Sequence, residues 1–115
     1  MTLNELRDEI HATAREKGWY NDGERNIPEA LALIHAEVSE ALEEYRDRGR
    51  LGLNEVFARI PGDPAKPEGF AVEVADILIR CLDLAGYLKI DIDKVVRQKM
   101  DYNKTRPYRH GGKKA

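Results

Sequence analysis

Apolar residues recur every three or four positions along most of this chain, and nowhere alternate long enough to suggest a strand. The pattern predicts four helices. The first spans about Thr2 to Lys17, where Leu3, Leu6, Ile10 and Ala14 share a face and Thr2 with Glu5 forms a capping box before Gly18 stops it. The second starts at Pro28, whose missing N–H is harmless in a first turn, and runs to about Arg48 before Gly49. Its stripe is Leu31, Ile34, Val38, Ala41, Leu42 and Tyr45. The third, about Glu68 to Leu88, carries Val74, Ile77, Leu78, Cys81, Leu82, Ala85 and Leu88. The fourth opens on Asp91 as N-cap, with Ile90 and Val95 as a hydrophobic staple, and runs to about Thr105 before Pro107.

Between the second and third helices, residues 49–69 hold four Gly and three Pro. This is the one long connection, with room for a short amphipathic turn at Glu55–Ile60, and loops of this length are usually functional or cross the molecule. Four helices and one crossover predict an all-α, four-helix bundle-type fold in a single domain, residues 1–115, with a basic tail at 106–115. At 115 residues the core is small, so pairing with further copies is expected to complete it.

Composition narrows the setting. The longest apolar stretch, Ala30 to Ile34, is far short of a membrane span, and Met1 to Ile10 has no secretory apolar core. The single cysteine, Cys81, excludes an internal disulfide framework or a cysteine-based zinc cluster, and a reducing cytoplasm is expected. The net charge of −2 hides a split: residues 94–115 carry eight Lys/Arg against Asp101, a net of +7, which leaves −9 on residues 1–93.

The acidic half contains a near-repeat, EVSEAL at 37–42 and EVADIL at 73–78. The copies lie 36 residues apart, a whole number of turns at 100° per residue, so they share one helical register. Each puts two carboxylates, Glu37 with Glu40 and Glu73 with Asp76, on the shoulder of an apolar stripe. One such pair ordinarily marks a solvated face. If those two helices pack against each other, the four carboxylates converge, and like charges about 4 Å apart repel by about 4 kcal/mol at an effective dielectric near 20. Protons or cations must neutralise them. An all-oxygen set selects a hard ion, Mg²⁺ or Mn²⁺. A di-iron site would need Glu-x-x-His, and His11, His35 and His110 have no ligand spacing for iron or zinc.

On the fourth helix the stripe Ile92, Val95, Val96 continues as Lys99, Asn103 and Arg106, so an apolar face turns cationic and suits a phosphate. Trp19, in the loop before the second helix, is either a core anchor or a platform for a nucleobase.

Taken in order, Glu37-x-x-Glu40, Glu73-x-x-Asp76, the stretch from Asp91 through Lys99-x-x-x-Asn103, and Arg106-Pro107-Tyr108 resemble the MazG-like all-α nucleoside triphosphate pyrophosphohydrolases over most of residues 28–112. The 49–69 connection is longer and richer in Pro and Gly than in compact members of that family. The resemblance implies cleavage of an NTP or dNTP between the α and β phosphates, with Glu37, Glu40, Glu73 and Asp76 holding Mg²⁺. It implies triphosphate contacts from Lys99 and Asn103, a base cover from Trp19, and a homodimer or homotetramer whose active bundle is built by more than one chain. In the mechanism expected for such a site, Glu37 is essential, Glu40 or Glu44 takes the proton of the attacking water, and Arg106 helps hold the leaving pyrophosphate. A non-enzymatic helical module, binding nucleic acid or a partner through the basic tail, is the rival. The acidic body disfavours it for a long polyanion, because it repels one and its basic residues are not interleaved with aromatics. A structural assembly subunit without chemistry is a third reading, against which the intact acids weigh.

Overall fold

A computed structural model describes residues 1–50 and 52–115; Leu51, within the predicted connection, lies outside the described residues. The chain is all-α. Helix α1 spans Leu3–Glu16, α2 Ile27–Arg48, α3 Phe70–Tyr87 and α4 Ile92–Thr105, with a further turn at Arg109–Gly112. No helix is long and apolar enough to cross a membrane.

Local chemistry sets the boundaries. The Thr2 capping box forms as predicted, and α2 begins at Ile27, one residue before the expected start, with Asn26 as its cap accepting from the Glu29 N–H. Asp91 caps α4 by accepting from the Lys94 N–H. The N-termini of α1 and α4 also cap each other. Asp93 accepts from the backbone N–H groups of Leu3 (3.1 Å) and Asn4 (3.0 Å), while Asn4 Oδ1 accepts from the Ile92 N–H at 2.9 Å. Orphan donors of two helices are satisfied by one exchange of side chains.

Residues 52–69 form no amphipathic turn at Glu55–Ile60. Phe57 and Glu68 instead pair their backbones as an isolated antiparallel bridge. Phe57 lies between the guanidinium groups of Arg48 (4.4 Å) and Arg59 (4.8 Å). Arg59 ties α2 to the foot of α3 by binding both oxygens of Glu44 (each 3.1 Å) and Glu68 Oε1 (3.0 Å). Gly69, at φ 119°, begins α3 where a Cβ would sit 2.9 Å from the Phe57 ring.

Helix α3 is central, with α2 and α1 packed on it and α4 packed mainly on α1. The α1–α3 crossing is tight because Gly86 faces His11, and a Cβ at Gly86 would lie 2.7 Å from the His11 Cβ. Beside it, His11 Nδ1 lies 2.8 Å from Asp83 Oδ1, and the Tyr20 hydroxyl donates to Asp83 Oδ2 at 2.8 Å. Tyr20 stacks on Tyr87, whose hydroxyl accepts from the Arg25 N–H. Burial, then the hydrogen bond to Asp83 and its charge, hold the Tyr20 hydroxyl well above its ordinary pKa, so it remains a donor.

The apolar stripes are not buried within the chain as the periodicity predicts. Among the described residues the buried apolar side chains are Ala30, Ala41, Leu82 and Ala85, while Leu31, Val38, Leu42 and Tyr45 of α2 and Val74 and Leu78 of α3 stay about half exposed. The radius of gyration, 17.0 Å, exceeds the roughly 13 Å of a compact chain of this length. Four helices related mainly through α3 and α1 leave outer faces that no fifth element covers.

The Gly86–His11 crossing makes a specific expectation. Gly86→Val should lower stability by about 1–3 kcal/mol, read as a reduced midpoint in urea unfolding; an unchanged midpoint would show that α1 and α3 do not approach so closely.

Candidate functional site

The two acidic motifs meet where α2 packs on α3. One carboxylate oxygen each from Glu37, Glu73 and Asp76 lie within 4.8 Å of one another. The shared register predicted from the 36-residue offset is what aligns them: the two helices meet along the acidic shoulders, with Glu37 held against Arg80, while the apolar stripes beside them stay half exposed. Glu40, one turn beyond Glu37, is exposed and bears on Glu73 from the rim.

The cluster is largely sheltered from water. The Glu37 side chain is 12% exposed, and its Oε1 accepts from Arg80 Nε at 2.8 Å. Glu37 Oε2 and Glu73 Oε2 are buried and meet no donor from the protein. Burial works against charge on Glu37, but the Arg80 hydrogen bond and charge outweigh it and hold that carboxyl below its usual range. Burial and the neighbouring Glu40, Glu37 and Asp76 push the Glu73 carboxyl up to about 7. Burial, then the charge of Glu37, also raises Asp76, against the pull of Arg80 and of Lys66 from the long loop. Two carboxylates are thus held above their ordinary pKa by too much negative charge in too little water.

Two orphaned carboxylate oxygens in an all-oxygen set of three acids fit a hard cation. Glu37, Glu73 and Asp76 can hold one; its identity is not set by these residues.

A cleft of about 650 Å³ runs from the acids along the groove between α1, α2 and α3. Helix α3 contributes Asp76, Arg80 and Asp83, α2 contributes Glu29, Leu33 and Glu37, and α1 contributes Ile10 and Ala14, with Lys17 from its C-cap. The loop after α1 supplies Trp19 and Arg25 to the same wall. This volume falls in the range of small-molecule sites. Trp19 is 70% exposed, so it is no core anchor. The Asp83–Tyr20 bond holds the residue next to it against α3, which is why the indole stands at the cleft and not elsewhere on the loop.

Other sequence-predicted residues are placed elsewhere. Glu44 is engaged on both oxygens by Arg59. Lys99 and Arg106 lie over the Tyr102 ring on α4, at 5.0 and 5.8 Å, and α4 packs chiefly on α1. Neither they nor Asn103 line the cleft. Sequence reasoning missed Arg80, Asp83 and Arg25. Arg80 was legible as the residue one turn after Asp76 on the same face; Asp83 and Arg25 carried no signal, because their roles depend on contacts across helices.

No family model matches the sequence, and no solved structure matches it. A dATP/dGTP diphosphohydrolase of Cyanophage S-2L is 31% identical to it over 88 residues, which take in 71% of this chain and 81% of that protein. With four-fifths of that enzyme covered, and with Glu37, Glu73 and Asp76 of the paired acidic motifs brought together, the chain belongs to the MazG-like family of which the phage diphosphohydrolase is a member.

Proposed function

We propose that this protein is a Mg²⁺-dependent nucleoside triphosphate pyrophosphohydrolase, with Mn²⁺ as a substitute ion, which hydrolyses an NTP or dNTP between the α and β phosphates. The observation that carries the reading is the convergence of Glu37, Glu73 and Asp76, with two unpartnered buried oxygens, where Glu37 and Asp76 line a cleft that an exposed tryptophan also lines. The phage relative's name makes purine deoxynucleotides the first substrates to test.

Glu37, Glu73 and Asp76, with Glu40 at the rim, would hold the ion. When bound, it supplies charge neutralisation to the triphosphate and acidity to a coordinated water. Glu40 is the better proton acceptor of the two candidates, because both Glu44 oxygens are committed to Arg59. Water oxygen bonds to the α-phosphorus, its proton passes to Glu40, and the bond from the α-phosphorus to the bridging oxygen breaks. Pyrophosphate leaves with that oxygen and a nucleoside monophosphate remains. Trp19 would cover the base.

Lys99, Asn103 and Arg106 would reach the triphosphate from a second copy. A homodimer or homotetramer is supported by the half-exposed stripes of α2 and α3, and by Val95, Met100 and Tyr102 exposed on α4. The protein would work on free nucleotides in the cytoplasm.

The decisive experiment is a pyrophosphate-release panel across the common NTPs and dNTPs with Mg²⁺ and Mn²⁺. Release from none of them would overturn the reading. Glu37→Ala and Asp76→Ala should each cut release by at least about a hundredfold while keeping the helical circular dichroism signal; near-normal turnover in either would remove these acids from the site.

Stability should follow the cluster's charge. The raised Glu73 pKa stabilises the metal-free fold fully below its ordinary 4.5, and that contribution is lost as pH rises through about 7. The metal-free protein should therefore melt lower at pH 8 than at pH 5.5, and Glu73→Gln should flatten the difference. Millimolar Mg²⁺ should raise the melting temperature by several degrees at pH 8, because only the folded chain assembles the three acids. A melt indifferent to Mg²⁺ would show that they bind none.

A further inference from the structure

We infer that Arg80 is a phosphate-binding residue of this site, contributed by the same chain that holds the acids: Glu37 anchors its Nε, and its two Nη groups take an oxygen-rich anion in the cleft. The inference rests on the proposed triphosphate-cleaving function and names a residue that its acidic motifs do not contain.

Arg80 stands one helical turn after Asp76 and two after Glu73. Its only hydrogen bond among the described residues is from Nε to Glu37 Oε1, at 2.8 Å. A guanidinium has five N–H donors in a rigid fork, so four remain on Nη1 and Nη2. The side chain is 38% exposed, and it lines both the large cleft and a small pocket of about 20 Å³ beside Tyr20, Arg25 and Asp83. A side chain held at Nε cannot swing freely. Its open edge is preorganised, and a phosphate accepts two parallel N–H groups from such an edge.

The position along the cleft matters. Glu37 lies across from Asp76 and Arg80, whereas Ala30 lies across from Asp83 and Leu84, so Arg80 stands between the acidic end and the Trp19 and Arg25 end. A triphosphate drawn to an ion on the acids, with its base toward Trp19, would pass Arg80. The residue resolves a difficulty of the fold: α4 keeps Lys99 and Arg106 away from the acids of its own chain, and Arg80 supplies a cation without them. Structural and anion-binding roles differ in their effect on metal. A guanidinium beside three carboxylates opposes a second cation there, whereas a mere scaffold for Glu37 would favour it.

The test compares the whole protein with Arg80→Gln and Arg80→Lys, using two probes. Mn²⁺ alone is titrated by electron paramagnetic resonance. The non-hydrolysable α,β-methylene analogue of dATP is titrated with Mg²⁺ by calorimetry. Arg80→Gln should bind the analogue at least about tenfold more weakly and bind Mn²⁺ at least as tightly as the native chain. Arg80→Lys, which keeps the charge and loses the fork, should fall between. Analogue affinity unchanged in both variants would overturn the inference. So would a parallel loss of Mn²⁺ and analogue, which would show that Arg80 only shapes Glu37. If Arg80→Gln does not fold, Arg80→Lys decides alone: native analogue affinity refutes the role, and a loss with Mn²⁺ binding retained supports it. A native protein that binds Mn²⁺ but neither the analogue nor any hydrolysable triphosphate refutes the function itself, an outcome distinct from failure at Arg80.

Discussion

Carboxylates on two packed helices repel each other, and where α2 meets α3 that repulsion is partly answered. Arg80 neutralises Glu37, a raised pKa keeps a proton available to Glu73, and Lys66 bears on Asp76 from the long loop. The answer is incomplete, since two buried oxygens face no donor. Packing of α2 on α3 brings the acids together despite their charges. That electrostatic imbalance makes the cluster one that could hold a hard cation.

The cleft beside the acids depends on a second constraint. Gly86 allows α1 to approach α3 closely at His11, and Asp83 then accepts from Tyr20 and meets His11. One carboxylate thereby fixes the loop after α1 and sets Trp19 at the cleft mouth. The long connection does a comparable job at the other end of α2, where Arg59 bridges Glu44 and Glu68 and Phe57 fills the space between two guanidinium groups. Through Arg59 it links the C-terminal half of α2 to the residues just before α3.

Charge and burial are distributed unevenly for one reason. Helix α4 is joined to α1 by reciprocal capping at their N-termini, so its cationic C-terminal half extends away from the acidic half of its own chain. The apolar stripes of α2 and α3 are left half covered for the same lack of a neighbour. Opposite charges and matching apolar faces on one molecule, unable to meet within it, suit association with further copies.

The sequence alone determined whatever follows from local periodicity. The four helices, the Thr2 and Asp91 caps, the Gly49 stop and the shared register of Glu37-x-x-Glu40 and Glu73-x-x-Asp76 all depend on residues within a few turns of one another, so the letters suffice. The convergence of three of those acids was legible too, because a 36-residue offset preserves the helical face. Which stripe residues are buried was not, since burial needs a partner surface that spacing does not name. Nor was the commitment of Glu44 to Arg59, the exposure of Trp19, the place of Asp83, or the direction of α4. Each is decided by which helix crosses which and at what height, and those crossings are set by pairs such as Gly86 with His11 and Asn4 with Asp93, more than seventy residues apart in the chain.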